Sequence, residues 1–448
     1  MRYLPLTDKD RIEMFETIGI KDIDDLFSNI QKKVDINPDL KLPNHMTEIE
    51  VEKNLSGLAG KNLHANNSAF FLGGGSYNHH IPSSVDHIIQ RSEFLTSYTP
   101  YQPEISQGTL QYLYEFQTQV SLLTGMDVSN ASMYDGSTST AEAVSMAKRI
   151  TKKNRVVLSS SIHPHYAQTI KTVSGISDED LNYKGDILEN LMDIESQIDE
   201  DTACVVVQNP DFFGSCHDLS YLSELIHKKG ALLIVVVTEI FSLGVMKSPG
   251  DMGADIVACE GQSLGNSLNF GGPYVGLLST RKKYLRQLPG RIVGESEDVD
   301  GRKGFVLTLS AREQHIRREK ATSNICTNSG LCSLAFTIHL TLLGELGFKK
   351  LSLLNHEFAC DFHDMISRLP GFEVVSKSFY NEFTLKLPIN ADDFLDSMSK
   401  KGILAGIPIK RLLPQNKNFD NYIIVACTEM NSKDDFDLYI NSAKEIAS

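Results

Sequence analysis

Four short runs built almost wholly of apolar residues constrain this chain more than anything else in it. Residues 155–159, 204–208, 232–238 and 256–259 lack the polar alternation of a strand with one wet face, so each is predicted to lie in a sheet covered on both sides. Amphipathic helical segments alternate with them at 109–123, 140–150 and 219–229, the first carrying Leu110, Leu113, Phe116, Val120 and Leu123 in helical register. Strands alternating with helices imply crossover units and a mainly parallel α/β sheet spanning about residues 66–325.

The flanks read differently. Within the first sixty residues, Thr7-x-x-Asp10 and Thr47-x-x-Glu50 are capping boxes, Gly19 and Gly60 are stops, and Ile23, Leu26, Phe27 and Ile30 recur with helical spacing. Asn37-Pro38 and Leu42-Pro43 break this into pieces too short to bury their stripes on one another, so residues 1–65 are expected to form a helical arm that lies on another surface. Beyond about 325, a long apolar helix at 331–346 leads into strands such as 383–387 and 422–427, which predicts a smaller α+β domain over 326–448.

Composition removes several functional classes. Lysine and arginine number 43 against 57 acids, a net charge of −14, whereas binding to nucleic acid through its phosphates needs a basic surface. No apolar run approaches the ~20 residues of a membrane span, since 331–343 is interrupted by Ser333, Thr337, His339 and Thr341. The beginning of the chain carries acids and has no apolar core of a signal sequence, so a cytoplasmic protein is expected. Seven cysteines without a C-x-x-C pair read as reduced thiols, five of them inside apolar runs where burial is expected, and they suggest no metal or nucleophile.

Six segments could carry chemistry. Asp135-Gly136-Ser137-Thr138 opens a helix, where it serves either as a cradle for an anion or as an ordinary N-cap, the second being the commoner use. The glycine-rich stretch 265–273 lacks a Walker lysine and reads as a tight loop. His79-His80 and His163-Pro164-His165 lack zinc spacing and suit capping or packing. The run 311–320 reads as a helix of mixed charge. The segment 98–108, YTPYQPEISQG, fixes its backbone with Pro100 and Pro103 and offers polar tips; it is either a rigid presenting loop or a packed connector.

Taken in order, YTPYQPEISQG at 98–108, GQSLG and NFGGPYVG within 261–276, RQLPGRIVGE at 286–295 and GFVLTLSAREQHIRREKATSNICTN at 304–328 closely resemble glycine decarboxylase, the P-protein of the glycine cleavage system. The resemblance runs over nearly the whole chain and points to the separate N-terminal-type subunit of two-subunit P-proteins. It implies the aspartate-aminotransferase-like fold of pyridoxal-phosphate enzymes, with the arm, parallel sheet and small C-terminal domain outlined above.

The resemblance also exposes a departure. Enzymes of that fold attach the cofactor to a lysine after one strand and pair its ring nitrogen with an aspartate ending another. Here the second strand ends Val236-Val237-Thr238, the expected lysine position falls at Gln262-Ser263, and no lysine occurs between Lys247 and Lys282. The chain is therefore expected to carry no Schiff base and no cofactor in its own degenerate pocket. The resemblance instead implies a heterodimer in which a sister subunit holds pyridoxal phosphate, glycine is decarboxylated, and the aminomethyl group passes to the lipoyl arm of H-protein. Candidate contributors to the shared site are Tyr98, Tyr101, Gln102, Glu104, Ser106 and Gln107 on the loop, Asn324, Thr327 and Asn328 further on, and Arg312 and Arg317 between. A self-sufficient pyridoxal enzyme using some other lysine, or a catalytically silent scaffold, are the alternatives.

Overall fold

The computed structural model describes residues 6–29, 42–176 and 191–447, which fall into two compact units, Met1–Asn62 and Leu63–Ser448. In the first unit both capping boxes close: the Thr7 and Thr47 backbone N–H groups donate to Asp10 and Glu50 at 2.7 Å each, starting helices Asp8–Ile18 and Glu48–Ala59. Gly19 ends the first helix at φ 83°, a conformation open to glycine at little cost. The second expected helix is a single 3-10 turn, Ile23–Phe27, and Ile30, Asn37 and Pro38 lie outside the described residues. Within this unit no helical residue is buried.

The second unit is organised by a six-stranded sheet in the order Val128–Ser129, Gly276–Thr280, Ile256–Glu260, Leu232–Val237, Thr202–Gln208, Arg155–Leu158. The last four are mutually parallel, while Gly276–Thr280 runs antiparallel to both of its neighbours, so the short edge strand points the same way as the four. Because strand side chains alternate, Val205, Leu233 and Val235 enter one core with Phe116, Ile226 and Phe336, and Val206, Ile234 and Val236 enter a second with Val144, Ala147 and Ile170. This two-sided burial is what the uninterrupted apolar runs require. The strand Gly276–Thr280 was not apparent in the sequence.

The long apolar helix extends over Gly330–Ile366, well past the expected end at 346, with a non-helical break at Gly344 (φ 59°, ψ −178°). It is the one helix among the described residues long and apolar enough to cross a membrane, yet Leu334 and Phe336 are buried, the latter against Phe116. Its second half packs on a four-stranded antiparallel sheet, ordered Glu373–Val374, Glu382–Lys386, Tyr422–Ala426, Ile407–Pro408, through a core containing Phe362, Phe383, Phe394 and Tyr439.

Two local expectations are corrected, and one element was not foreseen. Residues 311–320 are not one helix but two 3-10 turns around the four-residue helix Gln314–Arg317, because Glu313 is extended (φ −80°, ψ 157°) and Arg318 takes positive φ (52°). Residues 292–308 form an antiparallel hairpin, Ile292–Glu297 with Lys303–Thr308, that was not foreseen. Of the seven cysteines only Cys204, Cys259 and Cys427 are buried. Among the described residues, no group of three or more His, Cys, Asp or Glu is placed to hold a metal ion.

Candidate active site

Two places bring polar side chains together in the second unit. The first lies at the C-terminal ends of the parallel strands, where open α/β sheets bind ligands. Thr238 follows the strand Leu232–Val237 and takes a hydrogen bond from the Gln208 amide at 3.3 Å. Gln262, at the expected lysine position, is committed to backbone: its Oε1 accepts from Tyr77 N at 3.1 Å, and its Nε2 donates to the Tyr77 and Asn266 carbonyls at 3.2 and 2.6 Å. Tyr77 in turn donates its hydroxyl to Glu382 at 2.9 Å. The cavity left between Tyr77, Thr238, Glu239 and Glu382 is about 10 Å³, room for little more than one water.

Asp135 takes the N-cap role. Its Oδ1 accepts from Thr138 N at 2.8 Å in a closed capping box, so it is the N-cap of helix Gly136–Thr151. The Gly136 N–H donates at 2.8 Å to the carboxyl of Glu260, the residue ending the strand Ile256–Glu260. That carboxyl also accepts from Gln262 N and Val275 N at 3.0 and 3.2 Å. Burial pushes it up to about 8, with Asp135 adding to the shift and the Gly136 N–H opposing it.

Of the two histidine pairs, His163 serves as a helix cap, whereas His79 forms buried ion pairs in place of the expected packing or capping. His163 is the N-cap of Pro164–Ser174: Nδ1 accepts from His165 N at 3.1 Å, Nε2 contacts the Gly74 carbonyl at 2.9 Å, and burial pulls the ring down to about 4. His79 bridges Glu239 and Glu429 at 3.0 and 2.9 Å. Burial opposes its charge, but the two carboxylates outweigh burial and hold it at about 10.

The second place is an open cavity of about 1100 Å³ whose walls include Tyr101, Glu104, Gln107, Arg291, Phe305 and Glu313. Three of the proposed loop residues thus meet the unforeseen hairpin here. Gln107 is not a free polar tip: its amide donates to the Phe305 carbonyl at 2.9 Å and accepts from Phe305 N at 2.7 Å, completing a strand-like pair with the hairpin. Arg291 donates to the Thr99 hydroxyl and lies 4.0 Å from the Glu313 carboxylate, linking loop to turn. Sequence reasoning passed over Arg291, Glu313 and Glu260. The first two sit inside the resembling motifs, and the last is an acid directly after an apolar strand, which was the available signal.

Apart from Tyr101, the remaining candidates do not line this cavity. Tyr98 and Tyr101 are about 70% exposed (69% and 75%), with ring centres 6.4 Å apart, and the Tyr98 hydroxyl reaches Thr327 at 3.4 Å. Gln102 and Asn324 are exposed, and Ser106 occupies the N-cap position of Gln107–Thr124 without a side-chain cap bond. Asn328 is buried with its Oδ1 lacking a hydrogen-bond partner among the described residues. Arg312 spends its guanidinium on the Leu309 and Gly290 carbonyls, and burial lowers its pKa, whereas Arg317 is exposed and does not line the cavity.

Residues 1–442 match the sequence profile described as "Glycine cleavage system P-protein". The chain belongs to this family. P-protein relatives printed as "Probable glycine dehydrogenase (decarboxylating) subunit 1" match end to end, from Beijerinckia indica (56% identity over 450 residues) and Methylocella silvestris (56% over 448), each covering 100% of both chains. Their printed name implies a second subunit. A crystal structure of glycine decarboxylase (P-protein) of the glycine cleavage system, in inhibitor-bound form, superposes with TM-score 0.88 at 39% identity over 100% of both chains. Lactobacillus brevis glutamate decarboxylase (TM-score 0.65, 13% identity, 91% of this chain and 94% of that one) shares the fold alone. The architecture is thus that of the aspartate-aminotransferase-like pyridoxal-phosphate enzymes, and pyridoxal phosphate is the cofactor of this class.

This P-protein chain's own strand-end pocket does not fit that cofactor. Among residues 248–281 there is no lysine, apolar Val236 and Val237 stand where an acid is needed, and Gly136, Gln262 and Tyr77 already spend their polar atoms on neighbours.

Proposed function

We propose that the chain is the lysine-free subunit of a two-subunit glycine dehydrogenase (decarboxylating), and that its sister subunit holds pyridoxal phosphate. Glycine is decarboxylated in the shared site, and the aminomethyl group goes to the lipoyl arm of H-protein. The observation that carries this reading is a contrast within one unit. The pocket where such enzymes bind cofactor is filled, whereas Tyr101 and Glu104 stand exposed in the wall of an open cavity, with Tyr98 and Gln102 exposed on the same loop. In this reading the loop 98–108 and residues 324–328 complete the sister subunit's site by orienting substrate and excluding water. Exposed aromatics beside a cavity suit a surface that is covered on assembly.

Carbon dioxide exchange with the glycine carboxyl tests this directly. The isolated chain is expected to show none above background, and the mixture with the sister subunit to show robust exchange. Exchange by the chain alone, with a borohydride-reducible lysine adduct, would favour a self-sufficient enzyme; equal activity of the sister subunit with and without this chain would favour a silent scaffold.

A further inference from the structure

We propose that Glu260 is a built-in occupant of a phosphate seat: its carboxyl fills the space at the start of helix Gly136–Thr151 that a phosphate monoester would take. This rests on the reading that the chain binds no cofactor of its own, and it supplies a physical reason for that.

Three backbone N–H groups from three separate segments converge on this one side chain, from Gly136 at 2.8 Å, Gln262 at 3.0 Å and Val275 at 3.2 Å. The first is an N-terminal helix donor, which carries the partial positive charge that favours anions. Convergent N–H groups at the carboxyl end of a parallel strand are the usual equipment for holding phosphate oxygens. Here the ligand is the chain's own carboxyl, 3% exposed. The backbone also approaches closely: a Cβ on Gly136 would lie 2.3 Å from the Tyr166 hydroxyl and 3.0 Å from Glu260 Cβ, so only glycine fits the floor of the seat. Beside it, Gln262 fills the adjoining space with three backbone hydrogen bonds. The pocket is closed by occupation, donor by donor, rather than by collapse of the sheet ends.

An ordinary buried glutamate satisfied by backbone would look similar, and removal of the side chain separates the two cases. In Glu260→Ala the three N–H groups are left facing a vacated volume. Asp135 remains engaged with Ser137 and Thr138 as helix cap, and as a neighbouring acid it keeps the affinity modest, on the order of 1–10 mM.

The experiment uses the full chain with inorganic phosphate as probe, against potassium chloride at matched ionic strength, read by thermal unfolding and by phosphorus NMR line width. Phosphate at tenfold excess over its Kd is expected to raise the Tm of Glu260→Ala by about 1–3 °C and broaden the phosphate signal. The parent and Glu260→Gln, which keeps the occupant's shape, are expected to show neither effect. Glu260→Ser is the companion should the alanine variant fail to fold. A folded, emptied variant indifferent to phosphate overturns the proposal, as does an equal response in parent, glutamine and alanine forms. Pyridoxal phosphate bound by the parent in the visible absorbance spectrum would instead sink the assignment of the cofactor to the sister subunit.

Discussion

Gln107 and Tyr101 sit six residues apart on one loop and do different work. The Gln107 amide holds the hairpin strand Lys303–Thr308 through both polar groups of Phe305, so Gln107→Ala leaves a backbone pair without its partner at a part-buried position. A loss of about 1–3 kcal/mol is expected, seen as a lower urea midpoint together with lower exchange activity of the complex. Tyr101→Phe removes an exposed hydroxyl with no hydrogen bond among the described residues. It is expected to leave the midpoint unchanged and to lower the exchange rate of the complex about 10-fold or more if that hydroxyl meets substrate; unchanged exchange would return the loop to a packed connector. The sequence showed which loop to examine, but the separate duties of its residues depend on the hairpin, whose two strands carry Gly294, Ser296 and Gly304 and give a weak β pattern. A second residue-scale consequence concerns pH. Glu260, held at about 8 by burial against an ordinary 4.5, keeps its proton more tightly when folded, so its contribution is present below about pH 4.5 and lost as pH rises through 8. His79, raised from 6.5 to about 10, likewise contributes fully below 6.5 and loses that contribution as pH rises through 10. The urea midpoint of the parent is expected to fall between pH 6 and pH 9, and Glu260→Gln to fall less steeply; parallel profiles would mean that Glu260 does not titrate in this window.

At the scale of elements, the parallel strands and their helices were readable because burial on both faces leaves an unmistakable apolar run. The helix Gln107–Thr124 began only two residues before its expected start. The run 311–320 has helical composition, but an extended Glu313 and a positive-φ Arg318 break it, and local pattern carries no record of that. The loop 261–273 shows the reverse, a sequence feature whose purpose only packing reveals. Gly265 takes φ 83°, and a Cβ there would stand 2.3 Å from the Ala335 carbonyl oxygen of helix Gly330–Ile366. The loop therefore presses backbone to backbone on that helix. Gly265→Ala is expected to cost about 2 kcal/mol or more, from strained φ and overpacking together, and to lower the thermal midpoint while Gly271→Ala, with nothing within 4 Å, costs less.

Over the whole molecule, the chain retains the large sheet, the strand-end geometry and the small sheet of a cofactor enzyme, but has filled the pocket that geometry creates. In the reading proposed above its activity depends on assembly, and the unit Met1–Asn62 is the part with most to gain from it. Its capping boxes are complete, so both helices are set locally, yet Ile12, Ile18, Ile49, Leu55 and Leu58 are each more than half exposed. An amphipathic helix that covers none of its stripe within its own unit is stabilised chiefly by what it docks on, and isolated helices of 11 or 12 residues are marginal in water. Removing residues 1–62 is therefore expected to leave the thermal unfolding of the 63–448 unit within a few degrees of the parent and to weaken association with the sister subunit about 10-fold or more, for the loss of even about 60 Å² of covered apolar surface is worth that much. Sedimentation of the truncated and full chains with the sister subunit measures it. Equal dissociation constants would show that the arm lies outside the assembly interface, and a truncated chain that unfolds well below the parent would show that its stripe belongs to the chain's own second unit.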